Sequence, residues 1–149
     1  MKKILIIIAL LATIGYQSKA QNIQELAVKK VLDTYKASIE SLNIKGIVNL
    51  FTKDSEIIES GNIEGNIATY LQNHLGPELE EFDSFKFSNY TIKVRIDGNY
   101  AFTTENYIYT IVLKDAKEIK QKGVATSVLQ KTPGGWKIKT THSSSRRTK

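Results

Sequence analysis

The spacing of hydrophobic residues changes once along the chain, and the change separates a helical part from a stranded part. Residues 22–42 carry apolar side chains at the spacing of one helix face and charged side chains opposite. The apolar stripe consists of Ala27, Val28, Val31, Leu32, Tyr35, Ile39 and Leu42. Asn22, followed three residues later by Glu25, has the form of a capping box and predicts where this helix begins.

A second helical pattern covers residues 65–75. His74 lies on the same face as its apolar residues, so its ring is expected to point under the sheet. Gly76 and Pro77 are expected to end this helix, because proline cannot continue it. Proline suits the first turn of a new helix, and a one-turn helix is therefore predicted over residues 77–82.

From Phe85 onward the hydrophobic pattern has a period of two, which is typical of β-strands. Turn residues such as Gly98-Asn99 divide this region into four long strands. The predicted strands cover residues 85–97, 100–113, 119–131 and 136–144. Helices followed by antiparallel strands predict an α+β fold, with the N-terminal helices packed on a long sheet.

Alternation in the last strand predicts which of its side chains face the core. Trp136 and Ile138 are its large apolar residues. Thr140 and His142 follow at steps of two, so His142 is expected to point inward as well.

The strand over residues 100–113 is apolar on both faces. Phe102 and Ile108 lie on one face, and Tyr107 and Ile111 lie on the other. Helices can cover only one side of a single sheet, so the other side needs a partner. The sequence therefore predicts a homodimer without deciding which face forms it.

Residues 1–20 have the composition of a cleavable signal peptide. Lys2 and Lys3 precede an apolar run, and Ser18 and Ala20 occupy the small-residue positions of a cleavage site. The run of about 12 residues would span only ~18 Å as a helix, short of the ~30 Å hydrocarbon core. We expect a periplasmic or secreted protein with no membrane contact after cleavage, a domain over residues 21–145 and a disordered basic tail over 146–149.

Charge and cysteine content exclude several functions. The chain has 21 basic and 15 acidic residues; without the three lysines of the signal segment the counts are 18 and 15, a net charge of +3. Since the tail supplies three more basic residues, residues 21–145 are balanced, and no nucleic acid is expected as a partner. Cysteine is absent from the whole sequence, which excludes disulfides and thiolate chemistry.

The C-terminal motifs resemble those of the nuclear transport factor 2-like superfamily, in particular its small bacterial SnoaL-like domains. These motifs are Gly123-x-x-Thr126-x-Val128-Leu129-x-Lys131, Gly134-Gly135-Trp136-x-Ile138 and His142-x-Ser144. Earlier in the chain, the run His74-Leu75-Gly76-Pro77-Glu78-Leu79 resembles a motif of one subset of these domains. The resemblance covers residues 23–145. It implies a cone-shaped fold with a cavity between helices and sheet, often dimeric, and a family that includes enzymes and binding proteins.

Both histidines fall on faces predicted to be inward, and they are the sharpest chemical signal in the sequence. We expect His74 and His142 to line one cavity with Glu78 near its rim, since Glu78 lies one helical turn after His74. Tyr35 and Tyr107 are candidates to present hydroxyl groups to that cavity. Structural packing is the competing interpretation for all five residues.

These observations predict an exported domain that binds a hydrophobic small molecule in a mainly apolar cavity. The resemblance leaves two alternatives open. One is an enzyme that performs acid–base chemistry with His74 or His142, although no aspartate falls at a buried position to act as a general base. The other is a structural dimerisation module whose cavity is filled by side chains. No cofactor or metal site is indicated, because no ligand spacing or phosphate-binding loop occurs.

Overall fold

The long N-terminal helix of the protein is continuous. The computed structural model describes the backbone of residues 2–148 and the side chains of residues 21–148. Helix α1 spans Lys2–Glu40, so Asn22 is a helix-interior residue and the predicted capping box is wrong: the backbone is already helical before that position. The side chains of the predicted signal segment lie outside the described residues. No helix among the described residues is long and apolar enough to cross a membrane.

Helix α1 packs on the sheet through the predicted apolar stripe. Val28 and Leu32 are 0% and 1% exposed, and Ile39 is also buried. The Trp136 indole donates a hydrogen bond of 3.0 Å to the Gln24 side chain, which fixes the middle of α1 to the start of the last strand. Burial of these aliphatic side chains contributes about 1.5–3 kcal/mol each.

Six strands form one mixed sheet in the order β2-β1-β6-β5-β4-β3. The strands are β1 (Phe51–Glu59), β2 (Asn62–Gly65), β3 (Phe82–Asp97), β4 (Tyr100–Leu113), β5 (Glu118–Thr132) and β6 (Gly135–Arg147). All neighbours are antiparallel except β1 and β6, which are parallel. The predicted α+β class, with helices packed on a long curved antiparallel meander, is confirmed.

A helical segment with a widened middle turn joins β2 to β3. It consists of α2 (Ile67–Tyr70), a π turn (Leu71–Leu75) and α3 (Gly76–Glu81). The predicted one-turn helix over residues 77–82 is confirmed by α3, but the expectation that Gly76 and Pro77 interrupt the helical backbone before it is wrong. The π turn moves the backbone hydrogen bond of Gly76 to the Leu71 carbonyl, five residues back, and a widened turn of this kind accommodates the proline that follows. A Cβ atom on Gly76 would overlap that carbonyl, so the turn requires glycine.

A β-bulge in β6 reverses the faces of its second half. Leu129 pairs with Ile138, but Val128 pairs with Thr140, so Lys139 is an extra residue. Thr141 and the alternate residues after it therefore join Ile138 on the concave face. His142 lies on the convex face, opposite the prediction, because a shift of one residue turns every later side chain around.

The two faces of β4 differ in what covers them. Tyr107 and Ile111 face the helices on the concave side. Phe102 lies on the convex side and is 39% exposed, and Val124 on the neighbouring strand is 37% exposed. The convex face is thus the uncovered apolar face that the sequence left unassigned.

Strand β6 extends further than predicted. Arg146 pairs with Lys122 and Arg147 pairs with Gln121 on β5. The prediction of a disordered tail is therefore wrong for these two arginines, because β5 is long enough to supply backbone partners for them.

Candidate functional site

A cavity of about 330 Å³ lies between α1, the helical segment and the concave face of the sheet. Its apolar wall is mainly aromatic and includes Tyr35, Phe82, Phe85, Phe87, Tyr90, Tyr107 and Tyr109. Gly123 on β5 makes room for this wall: a Cβ atom there would overlap the Tyr107 ring. Glycine therefore occupies the position on β5 that is paired with Tyr107, where any side chain would collide with the ring.

Glu105 is the most buried carboxylate in the cavity wall, with 7% of its surface exposed. It lies on the concave face of β4, where Tyr90 donates a hydrogen bond to Oε2. Burial raises the pKa of the Glu105 carboxyl, and the charge of Asp33 adds to this effect, whereas the Tyr90 hydrogen bond opposes it. Burial and the charge of Glu105 also raise the pKa of Tyr90, so its hydroxyl stays protonated and donates.

A second bulge, in β3, brings Tyr90 to Glu105. Ser88 pairs with Ile108 and Thr91 pairs with Asn106, so Asn89 and Tyr90 together oppose one residue of β4. Asn89 has a left-handed backbone with φ of 51°, a conformation that asparagine tolerates better than most residues. Asn89 thus adopts the left-handed conformation at the bulge, and the side chain of the next residue, Tyr90, points into the cavity.

A histidine surrounded by carboxylates lies beside the outer end of the cavity, in contact with the lining residues Glu59 and Glu78. His74 Nδ1 lies 3.0 Å from Glu64, and its Nε2 lies 3.2 Å from Glu78 and 3.8 Å from Glu59. Burial opposes the charged imidazolium, but the Glu64 hydrogen bond and the charges of Glu78 and Glu59 outweigh it and raise the pKa of His74. Tyr70 donates a 2.6 Å hydrogen bond to Glu59. We call these residues the outer cluster: Glu59, Glu64, Tyr70, His74 and Glu78.

Lys36 is the basic residue of the described cavity lining. Its Nζ lies 2.7 Å from Glu40 Oε2, and Glu40 Oε1 accepts a 2.9 Å hydrogen bond from the Phe87 backbone. Burial opposes ionisation of Glu40, but its bonds with Lys36 and Phe87 hold the pKa of this carboxyl below its usual range. The Lys36 ammonium also lies 5.8 Å and 5.5 Å from the ring centroids of Phe87 and Tyr90, within cation–π distance.

Hydroxyl groups from β5 and β6 form the polar part of the cavity floor. Ser127 donates to Thr141 at 2.9 Å, and Ser145 lies 2.9 Å from the Tyr109 hydroxyl and donates to Gln121 at 2.7 Å. Thr141 and Ser145 reach this floor only because of the bulge in β6.

The structure brings together four of the five predicted site residues. Tyr35, Tyr107 and Glu78 line the cavity, with Glu78 half exposed at its rim. His74 is not part of the described cavity lining, so the expectation that it lines the cavity is wrong; it contacts the lining residues Glu59 and Glu78. The expectation that His142 lines the same cavity is wrong, because the bulge at Lys139 places it on the convex face beside Thr126.

Of the three carboxylates that line the described cavity, sequence reasoning assigned Glu78 to the site but not Glu59 or Glu105. Glu105 occupies the middle of a strand face whose other members include Tyr107 and Tyr109, and a charged residue on an aromatic face was the available signal. The sequence signal for Glu59 was weaker, since Glu59 ends a short strand next to a turn, where a charged residue is common. Among the described residues, no group of three or more His, Asp or Glu side chains has the arrangement needed to hold a metal ion.

The fold and the cavity together define a nuclear transport factor 2-like domain. The sequence profile of the SnoaL-like domain matches residues 28–147, so the chain belongs to the SnoaL-like domain family. This confirms the resemblance drawn from the C-terminal motifs. A search of curated proteins finds no match.

Solved structures of similar fold come from several bacteria. One is a proposed dehydratase of the NTF2-like family from Streptomyces avermitilis, with 15% identity and a TM-score of 0.75 over 85% of this chain and 99% of that chain. Another is an NTF2-like superfamily protein from Salmonella enterica serovar Typhimurium, with 21% identity and a TM-score of 0.70 over 86% and 91%. A third is a proposed ketosteroid isomerase from Shewanella frigidimarina, with 22% identity and a TM-score of 0.69 over 78% and 94%. At these identities the likeness establishes the fold and not an activity.

Proposed function

We propose that the protein binds a small hydrophobic molecule in the cavity between α1 and the sheet. The observation that carries the proposal is a cavity of about 330 Å³ whose lining combines aromatic and aliphatic side chains with carboxylates and hydroxyl groups. Ligand sites in proteins have this size and this balance of apolar wall and convergent polar atoms. Glu105 supports a binding role, because a buried carboxylate costs stability unless something in the site makes use of it.

A neutral fluorescent probe tests this proposal. Nile red should bind the purified full-length protein with a blue-shifted emission, as it does in apolar surroundings. Ala125 lines the cavity floor, so Ala125→Phe should abolish binding by filling the space. The matched control is Val124→Phe, one residue earlier on the convex face, which should bind the probe normally. Equal binding by both variants would contradict a cavity site, and no binding by the wild type would favour the structural dimerisation module.

The second candidate function is acid–base catalysis on a hydrophobic substrate. Glu105 favours it over the two histidines, because its pKa is raised by burial within the cavity, as a general acid or base at neutral pH requires. His74 is instead engaged by carboxylates, and His142 faces away. Exchange of the α-protons of 2-tetralone for deuterium, followed by NMR, tests this activity. If Glu105 is catalytic, the Glu105→Gln variant should no longer catalyse the exchange but should still bind Nile red.

The convex face is proposed as the surface of a homodimer. Tyr100, Phe102 and Val124 are each more than a third exposed there, and a second copy of the same face would cover them. Sedimentation equilibrium at micromolar concentration should give a dimer, and Phe102→Glu should give a folded monomer. A wild-type monomer would contradict this part of the proposal.

Export to the periplasm or outside the cell is also proposed, on the composition of residues 1–20. The N-terminal sequence of exported protein should begin within a residue or two of Gln21. Recovery of the full-length chain in the membrane fraction would contradict it.

A further inference from the structure

We propose that the ligand is a hydrophobic organic amine, bound as its ammonium ion beside Glu105 with its apolar body along the aromatic wall. This inference rests on the proposed binding function and names the chemical class that the cavity would take.

Glu105 has unused capacity to accept a hydrogen bond. Only 7% of the surface of Glu105 is exposed, and Tyr90 donates only to Oε2. No other residue in the described part of the chain bonds its Oε1, although that oxygen is not sealed from the cavity. A buried carboxylate oxygen that faces a cavity is best satisfied by a cationic N–H donor, which gives the stronger, charge-assisted hydrogen bond.

The cavity has an excess of negative charge. Glu59, Glu78 and Glu105 line it, whereas Lys36 is the basic group of the described lining. Lys36 is already paired with Glu40 at 2.7 Å. An entering cation would therefore meet a negative potential that the apolar wall screens poorly.

The aromatic wall presents the electron-rich faces that organic cations prefer. The rings of Tyr90 and Tyr107 are stacked with centroids 5.9 Å apart, and Phe87 meets Tyr107 edge-on at 5.1 Å. The Lys36 ammonium already lies over Phe87 and Tyr90. The protein's own cation thus shows that this wall can accept an ammonium group, and a ligand would use the neighbouring ring faces near Glu105.

The same features of the cavity disfavour anionic ligands and neutral ligands. A ligand carboxylate would be repelled by Glu105, and its strongest available partner, Lys36, is occupied by Glu40. A neutral ligand would leave the buried charge of Glu105 uncompensated and would further reduce its contact with water. Amines with a ring-sized apolar body fit both the volume and the charge.

Three indole compounds of nearly equal shape test the inference. Tryptamine carries a positive charge at neutral pH, tryptophol is neutral and indole-3-acetate is negative. Isothermal titration calorimetry with the purified full-length protein should show tryptamine binding about tenfold more tightly than tryptophol, as expected for a hydrogen bond between charged groups. Indole-3-acetate should bind most weakly. Added salt should reduce the affinity for tryptamine more than the affinity for tryptophol.

Two glutamine variants identify the carboxylate responsible. Glu105→Gln should remove most of the preference for tryptamine over tryptophol while leaving tryptophol affinity within about twofold. Glu80→Gln, an exposed α3 position outside the cavity lining, should leave the preference unchanged. Thermal unfolding of both variants shows that each is folded.

The outcomes separate the inference from the proposed function. Equal affinities for the three compounds, or a preference for indole-3-acetate, would overturn the amine class and leave small-molecule binding intact. Binding of none of them by a protein that still binds Nile red would also overturn the amine class. Only failure with Nile red would count against the binding function itself.

Discussion

The two ends of the cavity hold carboxylates that are bonded in the same way but have different surroundings. At the inner end Tyr90 bonds Glu105, and at the outer end Tyr70 bonds Glu59. Glu105 is 7% exposed, whereas the Glu59 side chain is 33% exposed and lies 3.8 Å from His74. The carboxylate of Glu105 is therefore desolvated and has no cation beside it among the described residues, whereas that of Glu59 is in contact with solvent and close to His74.

This difference shows that burial and partners, rather than residue type, decide what a glutamate can do. The outer cluster sets its three carboxylates around His74 and in partial contact with solvent, so it suits a structural role that ties the helical segment to the β1–β2 hairpin. The inner carboxylate retains the capacity to interact with a ligand. A site for binding or catalysis is therefore expected around Glu105 rather than around the histidine that dominates the sequence.

The largest effect is expected when the two carboxylates lose their tyrosine hydroxyls. Tyr90→Phe leaves Glu105 buried without its donor and should lower the free energy of unfolding by about 1–3 kcal/mol near neutral pH. Tyr70→Phe should cost less, at most about 1 kcal/mol, because Glu59 keeps solvent and His74. Chemical denaturation of the two variants measures the difference.

A double-mutant cycle provides the control for this prediction. Adding Glu105→Gln to Tyr90→Phe should recover part of the lost stability, because the uncompensated carboxylate is removed. Equal losses for Tyr90→Phe and Tyr70→Phe would show that the two ends do not differ as described.

An intermediate effect is expected in the pH dependence that Glu105 imposes. Its pKa is raised in the folded protein, so the folded state holds a proton that the unfolded state has released. The free energy of unfolding should therefore fall as pH rises above about 4.5 through the folded pKa of Glu105. Glu105→Gln should remove this fall, and it should be more stable than the wild type near neutral pH by about 1 kcal/mol.

Thermal unfolding at several pH values measures this dependence, with Glu80→Gln as the control that should follow the wild type. A Glu105→Gln variant with an unchanged pH profile would contradict the assignment of Glu105 as the desolvated carboxylate.

The smallest effect is expected at the outer cluster. The pKa of His74 is raised in the folded state. The stabilisation that protonated His74 gives to the folded protein is therefore fully present below about pH 6.5 and is lost as the pH rises through the folded pKa. His74→Phe should lower the free energy of unfolding by about 0.2–1 kcal/mol at mildly acidic pH, and by less at alkaline pH, because the side chain is partly exposed.

His142→Phe is the matched control for this substitution, since it removes the other histidine from the convex face. The His142→Phe variant should not show a loss of stability that is larger at mildly acidic pH than at alkaline pH. If both variants lose stability equally across the pH range, the carboxylates around His74 do not govern its protonation.

Local sequence patterns were sufficient for most of the architecture. The 3.6-residue spacing of Val28, Leu32 and Ile39 identified the buried face of α1, and period-two alternation identified the four long strands. Both periods follow from backbone geometry within one element, so the sequence contains them without reference to distant residues. The family motifs near the C-terminus then indicated the fold and its cavity.

The candidate site was harder to predict, because its partners meet across strands. Tyr90 and Glu105 are 15 residues apart and meet only through the pairing and bulge of β3 with β4. His74 was recognised from the sequence, but its bond to Glu64 depends on how the π turn and the hairpin come together. No local spacing encodes either contact.

The sequence by itself determined the α+β class, the buried face of the N-terminal helix, the four long strands and the family. Only the tertiary structure decided which polar groups enter the cavity. One extra residue, Lys139, moves His142 to the convex face, and pairing of β3 with β4 buries Glu105 beside Tyr90. The reason is physical: alternation is a local property of each strand, whereas bulges, register and burial are settled by the free energy of the whole sheet packed against its helices.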